Sequence, residues 1–219
     1  MSFKLILMYC VMAVITMLSS RVDAVEVDTR TISEDSLSKP QKRALKTYVK
    51  AVAEVASQMD IEGPLHLTVS TDNSASIKGS MLSVSPTVLA HLSDDALVFV
   101  AAHELAHAHH DHTDKLFLST LGSISIWDWF TGKSVQAVQR FVNSREFSLL
   151  SHEQEFESDR TAVNVINEMG GDGCSAAAET FLTLAPGMDA SLTHPSISAR
   201  LKKLCSPLQL ELLTSSSRH

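Results

Sequence analysis

The stretch "SDDALVFVAAHELAHAHH", residues 93–110, decides the fold, because its first half is apolar on nearly every side. A helix that is apolar all round is typically buried in a protein core. Ser93, followed by Asp94 and Asp95, is typical of a helix start, since serine caps free backbone amides and acids lie at the positive end of the helix dipole. The stretch therefore predicts a central buried helix that the rest of the domain covers.

The second half of this helix carries two histidines on one face. His103 and His107 are four residues apart, which places their Cβ atoms about 5–6 Å from each other on a helix. Two imidazoles at that separation reach a single zinc ion, and Glu104 completes an H-E-x-x-H pattern. In that pattern the glutamate is the general base toward a metal-bound water. The alternative is a polar helix end without metal. The neighbouring histidines fall off this face; they are His109, His110 and His112.

A third ligand is expected from "SHEQEFESDRTAVNVI", residues 151–166. Its glutamates Glu153, Glu155 and Glu157 are two residues apart and cannot all face one metal. Only Glu155 has an acid one turn later on its own face, namely Asp159. Because ligating histidines usually donate their far N–H to a carboxylate, the pattern predicts Glu155 as ligand and Asp159 as the group that orients a zinc histidine. A solvated acidic face on a surface helix is the alternative.

"HELAH" followed by "EFESD" resembles the gluzincins of the CaaX-prenyl-endopeptidase and HtpX-like family, over roughly residues 65–205. The resemblance is closest to soluble periplasmic BepA- and LoiP-like members. It implies a metalloendopeptidase with one Zn²⁺ per chain.

"HPSISAR", residues 194–200, resembles the family's late His-Pro motif. The resemblance implies that His194 and Arg200 belong to the catalytic site, where either would supply a second donor to the developing oxyanion. Two alternatives stay open: His194 blocks the metal and holds the enzyme inactive, or His194-Pro195 merely starts a helix.

The sequence departs from the family's pattern at two places. The family usually has an arginine three residues before the glutamate ligand, where this chain has His152. Its asparagine-alanine pair reads Asn73-Ser74 here. Both departures concern substrate binding and leave the metal ligands intact.

Composition and periodicity predict the fold class. The chain has 219 residues, a net charge of −7 and few glycines and prolines, which indicates one helix-rich domain and no nucleic-acid partner. "LHLTVS" and "SIKGSMLSVS", residues 65–70 and 76–85, alternate like short strands. We expect an α+β fold, mainly helical, with a small sheet of short strands beside the H-E-x-x-H helix, and the resemblance implies that this fold is zincin-type. Helices are predicted at residues 41–59, 134–150, 151–169, 175–185 and 195–205.

An apolar run from Leu5 to Leu18 precedes Ala24 and is typical of a secretory signal peptide. We expect cleavage after Ala24 and export to a bacterial periplasm; an uncleaved anchor is the alternative. Cys174 and Cys205 then remain, either as a disulfide or as two buried thiols. The predicted organisation is a signal peptide at 1–24, a flexible lead-in at 25–40, a zinc metalloprotease domain at 41–206 and a disordered tail at 207–219.

The segment 116–130 is apolar and contains Trp127 and Trp129. It is interpreted as a lid, a peripheral membrane contact, a contact with outer-membrane proteins, or ordinary core packing.

The resulting hypothesis is a zinc endopeptidase that hydrolyses misfolded, exported or envelope polypeptides. An exported chaperone-like or binding module, with a zinc site blocked by His194 and little proteolysis, is the alternative. A structural zinc protein ranks third, because a structural site has no need of Glu104.

Overall fold

The computed structural model describes residues 26–28, 36–70, 75–78, 80–122, 134–184, 190–191 and 193–216. The strands in these ranges are β1 (Glu26–Asp28), β2 (His66–Val69), β3 (Ala75–Lys78) and β4 (Met81–Val84). The helices are α1 (Lys39–Gln58), α2 (Pro86–Leu89), α3 (Asp94–His109), α4 (His112–Gly122), α5 (Ser134–Val142), α6 (Arg145–Glu168), α7 (Gly173–Leu184), α8 (Ile197–Leu204) and α9 (Pro207–Ser216).

Helix α3 is the centre of the domain, as the sequence predicts. It packs most extensively against α6 and α1, and also against α7 and β3. Leu97, Phe99 and Leu105 on different sides of α3 are all buried, each stabilising the fold by about 1.5–3 kcal/mol. The Ser93 hydroxyl accepts a hydrogen bond from the amide of Ala96 at 3.3 Å, which begins the helix where the sequence places it.

The sheet has the strand order β1-β2-β4-β3. Strands β1, β2 and β4 run parallel, and β3 is antiparallel to β4. Leu67, Val69, Leu82 and Val84 alternate toward the core along β2 and β4, the two-residue period of a strand with one buried face. The expected α+β class, with a small sheet beside the H-E-x-x-H helix, is confirmed.

One predicted helix boundary is wrong. The sequence placed a new helix at Ser151, but α6 already begins after Ser144, whose hydroxyl accepts from the amide of Phe147 at 3.1 Å. Ser151 therefore lies inside α6, where its hydroxyl donates to the carbonyl of Thr193 at 2.9 Å and Gln154 donates to the carbonyl of His112 at 3.2 Å. The glutamate-rich segment therefore lies in the middle of a 24-residue helix.

Two segments predicted to lack regular structure contain some. Within 25–40, Glu26–Asp28 pair with β2 and α1 begins at Lys39. Within 207–219, α9 forms, because Ser206 and Gln209 bond reciprocally in a capping box. The predicted signal peptide and both tryptophans of 116–130 lie outside the described residues.

Cys174 and Cys205 form a disulfide, which decides between the two alternatives for these residues. The bond ties the first turn of α7 to the residue that follows α8. Among the described residues, no helix combines the length and the hydropathy that a bilayer crossing requires.

Candidate metal centre

Helices α3 and α6 bring the three expected ligands together. His103 and His107 lie one turn apart on α3, with their Nε2 atoms 3.1 Å from each other. Glu155 of α6 faces them, with Oε2 3.7 Å from His103 Nε2 and Oε1 3.4 Å from His107 Nε2. A tetrahedron with zinc–ligand bonds of about 2.0–2.1 Å has edges of about 3.3–3.4 Å. The three donor groups therefore have the spacing of a zinc site.

The carboxylate of Glu155 gives a further sign of a cation site. Within the described part of the chain, its buried Oε2 atom makes no hydrogen bond, and its charged contact there is Arg200 Nη2 at 3.4 Å. Burial alone would raise the pKa of Glu155. The contact with His107 and the charges of His103 and Arg200 outweigh burial and lower that pKa to about 2. The carboxylate is therefore anionic at neutral pH and suited to a metal.

Asp159 supports His103 from behind. Its Oδ1 lies 3.0 Å from His103 Nδ1, so the ring presents Nε2 to the cluster. Arg200 holds this aspartate with two bonds, of which Nε to Oδ2 measures 2.7 Å. Burial would raise the pKa of Asp159, but the bonds from Arg200 and His103 lower it. The structure thus has the acid–histidine contact that the i,i+4 spacing predicts.

Arg200 contacts two of the buried acids, Asp159 and Glu155. Besides Asp159, its Nη2 lies 3.4 Å from Glu155 Oε2, and its guanidinium covers the ring of Phe181 at 4.1 Å. The side chain is almost fully buried. The guanidinium of Arg200 therefore holds the carboxylates of Asp159 and Glu155 in place.

His107 is supported by a residue that the helical spacing placed off the metal face. Its Nδ1 lies 2.9 Å from Nδ1 of His112. Asp111 adopts a left-handed conformation with φ +53° between the end of α3 and the start of α4, so the periodicity of α3 no longer applies at His112. The ring of His112 in turn contacts Glu157, with Nε2 3.0 Å from Oε2. Helical spacing gives no signal for His112; the resemblance does, because the family commonly has a histidine five residues after the second ligand, the position of His112 relative to His107.

Glu104 lies on α3 between the two histidine ligands and is buried. Burial raises the pKa of its carboxyl, and nearby Glu155 adds to this, while the charges of His103 and His107 oppose it. A carboxylate whose pKa is raised toward neutrality is a better proton acceptor at physiological pH.

His194 lies at the rim of the cluster. Its Nε2 is 3.7 Å from Glu155 Oε1, and its side chain is 50% exposed. Its other ring nitrogen, Nδ1, is 2.8 Å from the Thr193 hydroxyl. Desolvation by partial burial lowers the pKa of His194, with Glu155 opposing. Nδ1 of His194 therefore contacts Thr193, and Nε2 is the ring nitrogen nearest the cluster.

The loop that carries His194 is attached to α6. Ser151 donates to the carbonyl of Thr193 at 2.9 Å, and His152 donates to the carbonyl of Ser191 at 2.8 Å. His152, where the family usually has arginine, therefore fixes the rim loop. Neither contact was predicted.

Comparison with known proteins identifies the domain. The sequence profile described as Peptidase family M48 matches residues 40–208, more than half of the chain. No curated protein and no solved structure matched the chain significantly.

Replacing one histidine ligand tests the cluster. We expect His103→Ala to weaken zinc affinity by more than about 100-fold, beyond the effect of losing a group that only orients a ligand. The matched control is His109→Ala, an exposed histidine of the same helix, which should bind zinc like wild type. Zinc content after equilibrium dialysis measures both. Equal zinc in the two variants would show that His103 is not a ligand.

Proposed function

The chain belongs to peptidase family M48, and we propose that it is an exported zinc endopeptidase acting on polypeptides of the cell envelope. It is a zinc metallopeptidase whose ligand cluster is His103, His107 and Glu155. The observation that carries the proposal is the convergence of these three groups beside Glu104. Three protein ligands leave one position for water, the pattern of a catalytic zinc site.

Glu104 is the proposed general base. Zinc, when bound, supplies a Lewis acid that acidifies water and polarises a peptide carbonyl. The Glu104 carboxylate accepts the proton of the attacking water and then delivers it to the leaving amine nitrogen. The raised pKa of Glu104 supports both transfers.

His194 is the proposed second donor to the oxyanion. Its half-exposed ring places Nε2 3.7 Å from Oε1 of the ligand Glu155, beside the proposed zinc position. A donor at that position stabilises the charge that develops during attack. Arg200 is assigned a positioning role instead, because Asp159 and Glu155 occupy its guanidinium.

Export and the substrate class rest on several features. The apolar run ending before Ala24 is typical of a signal peptide. The disulfide between Cys174 and Cys205 is typical of an oxidising compartment. Together with the BepA- and LoiP-like motifs, these features favour misfolded or envelope proteins as substrates in a bacterial periplasm, with 116–130 as a candidate contact to the membrane or to outer-membrane proteins.

The Glu104→Gln variant tests the reaction. We expect it to lose casein cleavage by about 10²–10⁴-fold, the usual contribution of a general base, and to keep zinc. Glu54→Gln, a change of the same kind on the surface of α1, should leave cleavage unchanged. Full activity in Glu104→Gln would refute the assigned base, and a wild type that neither binds zinc nor cleaves would refute the function.

A binding or chaperone-like module is the second candidate, favoured by the closeness of His194 to the ligand Glu155. The two readings differ in the effect of His194→Ala. As an oxyanion donor its loss should lower kcat about 10²-fold at unchanged zinc content. A rise in casein cleavage would instead mark His194 as a block on the metal.

The export proposal predicts a processed N-terminus. In a bacterial host, we expect the protein in the osmotic-shock fraction to begin at Val25 on N-terminal sequencing. Recovery only in the membrane fraction, with residues 1–24 retained, would support the uncleaved anchor instead.

A further inference from the structure

The two histidine ligands are supported by different groups. His103 Nδ1 faces a carboxylate, Asp159, at 3.0 Å. His107 Nδ1 faces another imidazole nitrogen, Nδ1 of His112, at 2.9 Å. Unlike the two Nε2 atoms that face the metal position, these two imidazole nitrogens have no metal position between them, so they are compatible only if one donates and the other accepts. One of these two Nδ1 atoms therefore carries the hydrogen, and the question is which.

The answer comes from Glu157, which contacts the other ring nitrogen of His112. Its Oε2 lies 3.0 Å from His112 Nε2. An ionised carboxylate can only accept, so this Nε2 carries the N–H. A neutral imidazole has a single N–H, which leaves Nδ1 of His112 as an acceptor. The proton between the two rings then resides on Nδ1 of His107.

We infer that Glu157 and His112 form a relay that holds His107 in the tautomer with a protonated Nδ1 and an unprotonated Nε2. That Nε2 is the nitrogen that faces the cluster, 3.1 Å from Nε2 of His103. In the opposite tautomer a proton occupies the lone pair that a metal needs. Glu157 and His112 are positioning residues, since both act through His107.

The surroundings make the relay rigid at its inner end and accessible at its outer end. The His112 side chain is 2% exposed and Glu157 is 44% exposed. Gln154 donates to the backbone carbonyl of His112, and the Ser158 hydroxyl lies 3.3 Å from Nδ1, where it shares the lone pair that faces His107. On the outer side, His110 stacks on the His112 ring and lies 3.8 Å from Glu157 Oε1. A change at Glu157 therefore alters the relay without opening the core.

Variants of Glu157 test the relay, and Glu153→Ala is the matched control. Glu153 is also a partly exposed glutamate of α6, but it pairs with Lys203. We expect Glu157→Ala to raise the Kd for zinc about 10-fold, the lower end of the range for groups that orient metal ligands. Glu157→Gln should have a smaller effect, because its amide oxygen still accepts from His112. Glu153→Ala should bind zinc like wild type.

The second readout is the ring of His107 itself. Long-range ¹H–¹⁵N correlation spectra of metal-free protein should show only the Nδ1–H tautomer of His107 in wild type and a mixture of tautomers in Glu157→Ala. Weaker zinc binding with an unchanged His107 tautomer would overturn the relay, since the effect would then be one of charge alone. Unchanged zinc affinity in Glu157→Ala would overturn it as well.

The proposed relay depends on the proposed zinc centre, but different experimental results would refute each of them. A wild type without zinc affinity would refute the proposed function. A wild type that binds zinc, with Glu157→Ala equal to Glu153→Ala in both readouts, would refute only the relay.

Discussion

The burial of three carboxylates around one guanidinium is the constraint on which the rest of the site depends. Glu104, Glu155 and Asp159 are all buried where α3 meets α6, and Arg200 bonds to Asp159 and lies 3.4 Å from Glu155. With all three acids ionised, Arg200 balances one of the three negative charges. Buried charge of that size is costly unless it is paired. A divalent cation balances it, which is why the same packing that makes the core also makes a metal centre.

The sequence predicts the part of this site that a single helix determines. The spacing of His103 and His107, and of Glu155 and Asp159, is one helical turn in each case, so the face of each residue follows directly from its number. The buried character of α3 follows from its apolar first half. Side chains that meet across elements are harder to predict. His112 contacts His107 although its number places it off the face of α3, because the left-handed conformation of Asp111 interrupts the helix.

Helix starts mark the second limit of sequence reasoning. Ser144 and Ser151 are both acceptable N-caps by residue type, and only the structure shows that Ser144 takes this role. Gln154 meanwhile donates to the carbonyl of His112 in another helix, a contact that local sequence does not reveal. Likewise, β1 exists through its pairing with β2, a partner that a local pattern of three residues cannot reveal.

His194 and Arg200 are six residues apart, yet α8 separates their roles. Ser196 caps α8, which leaves His194 in the loop before the helix and carries Arg200 a full turn inside it. The loop is bonded to α6 through Ser151, the same helix that holds Glu155. The distance between His194 and Glu155 is therefore set by α6 rather than by a free loop. Moving His194 away from the metal position requires breaking the bonds that fix the loop. This energetic cost favours His194 as an oxyanion donor over His194 as a block that has to leave the metal.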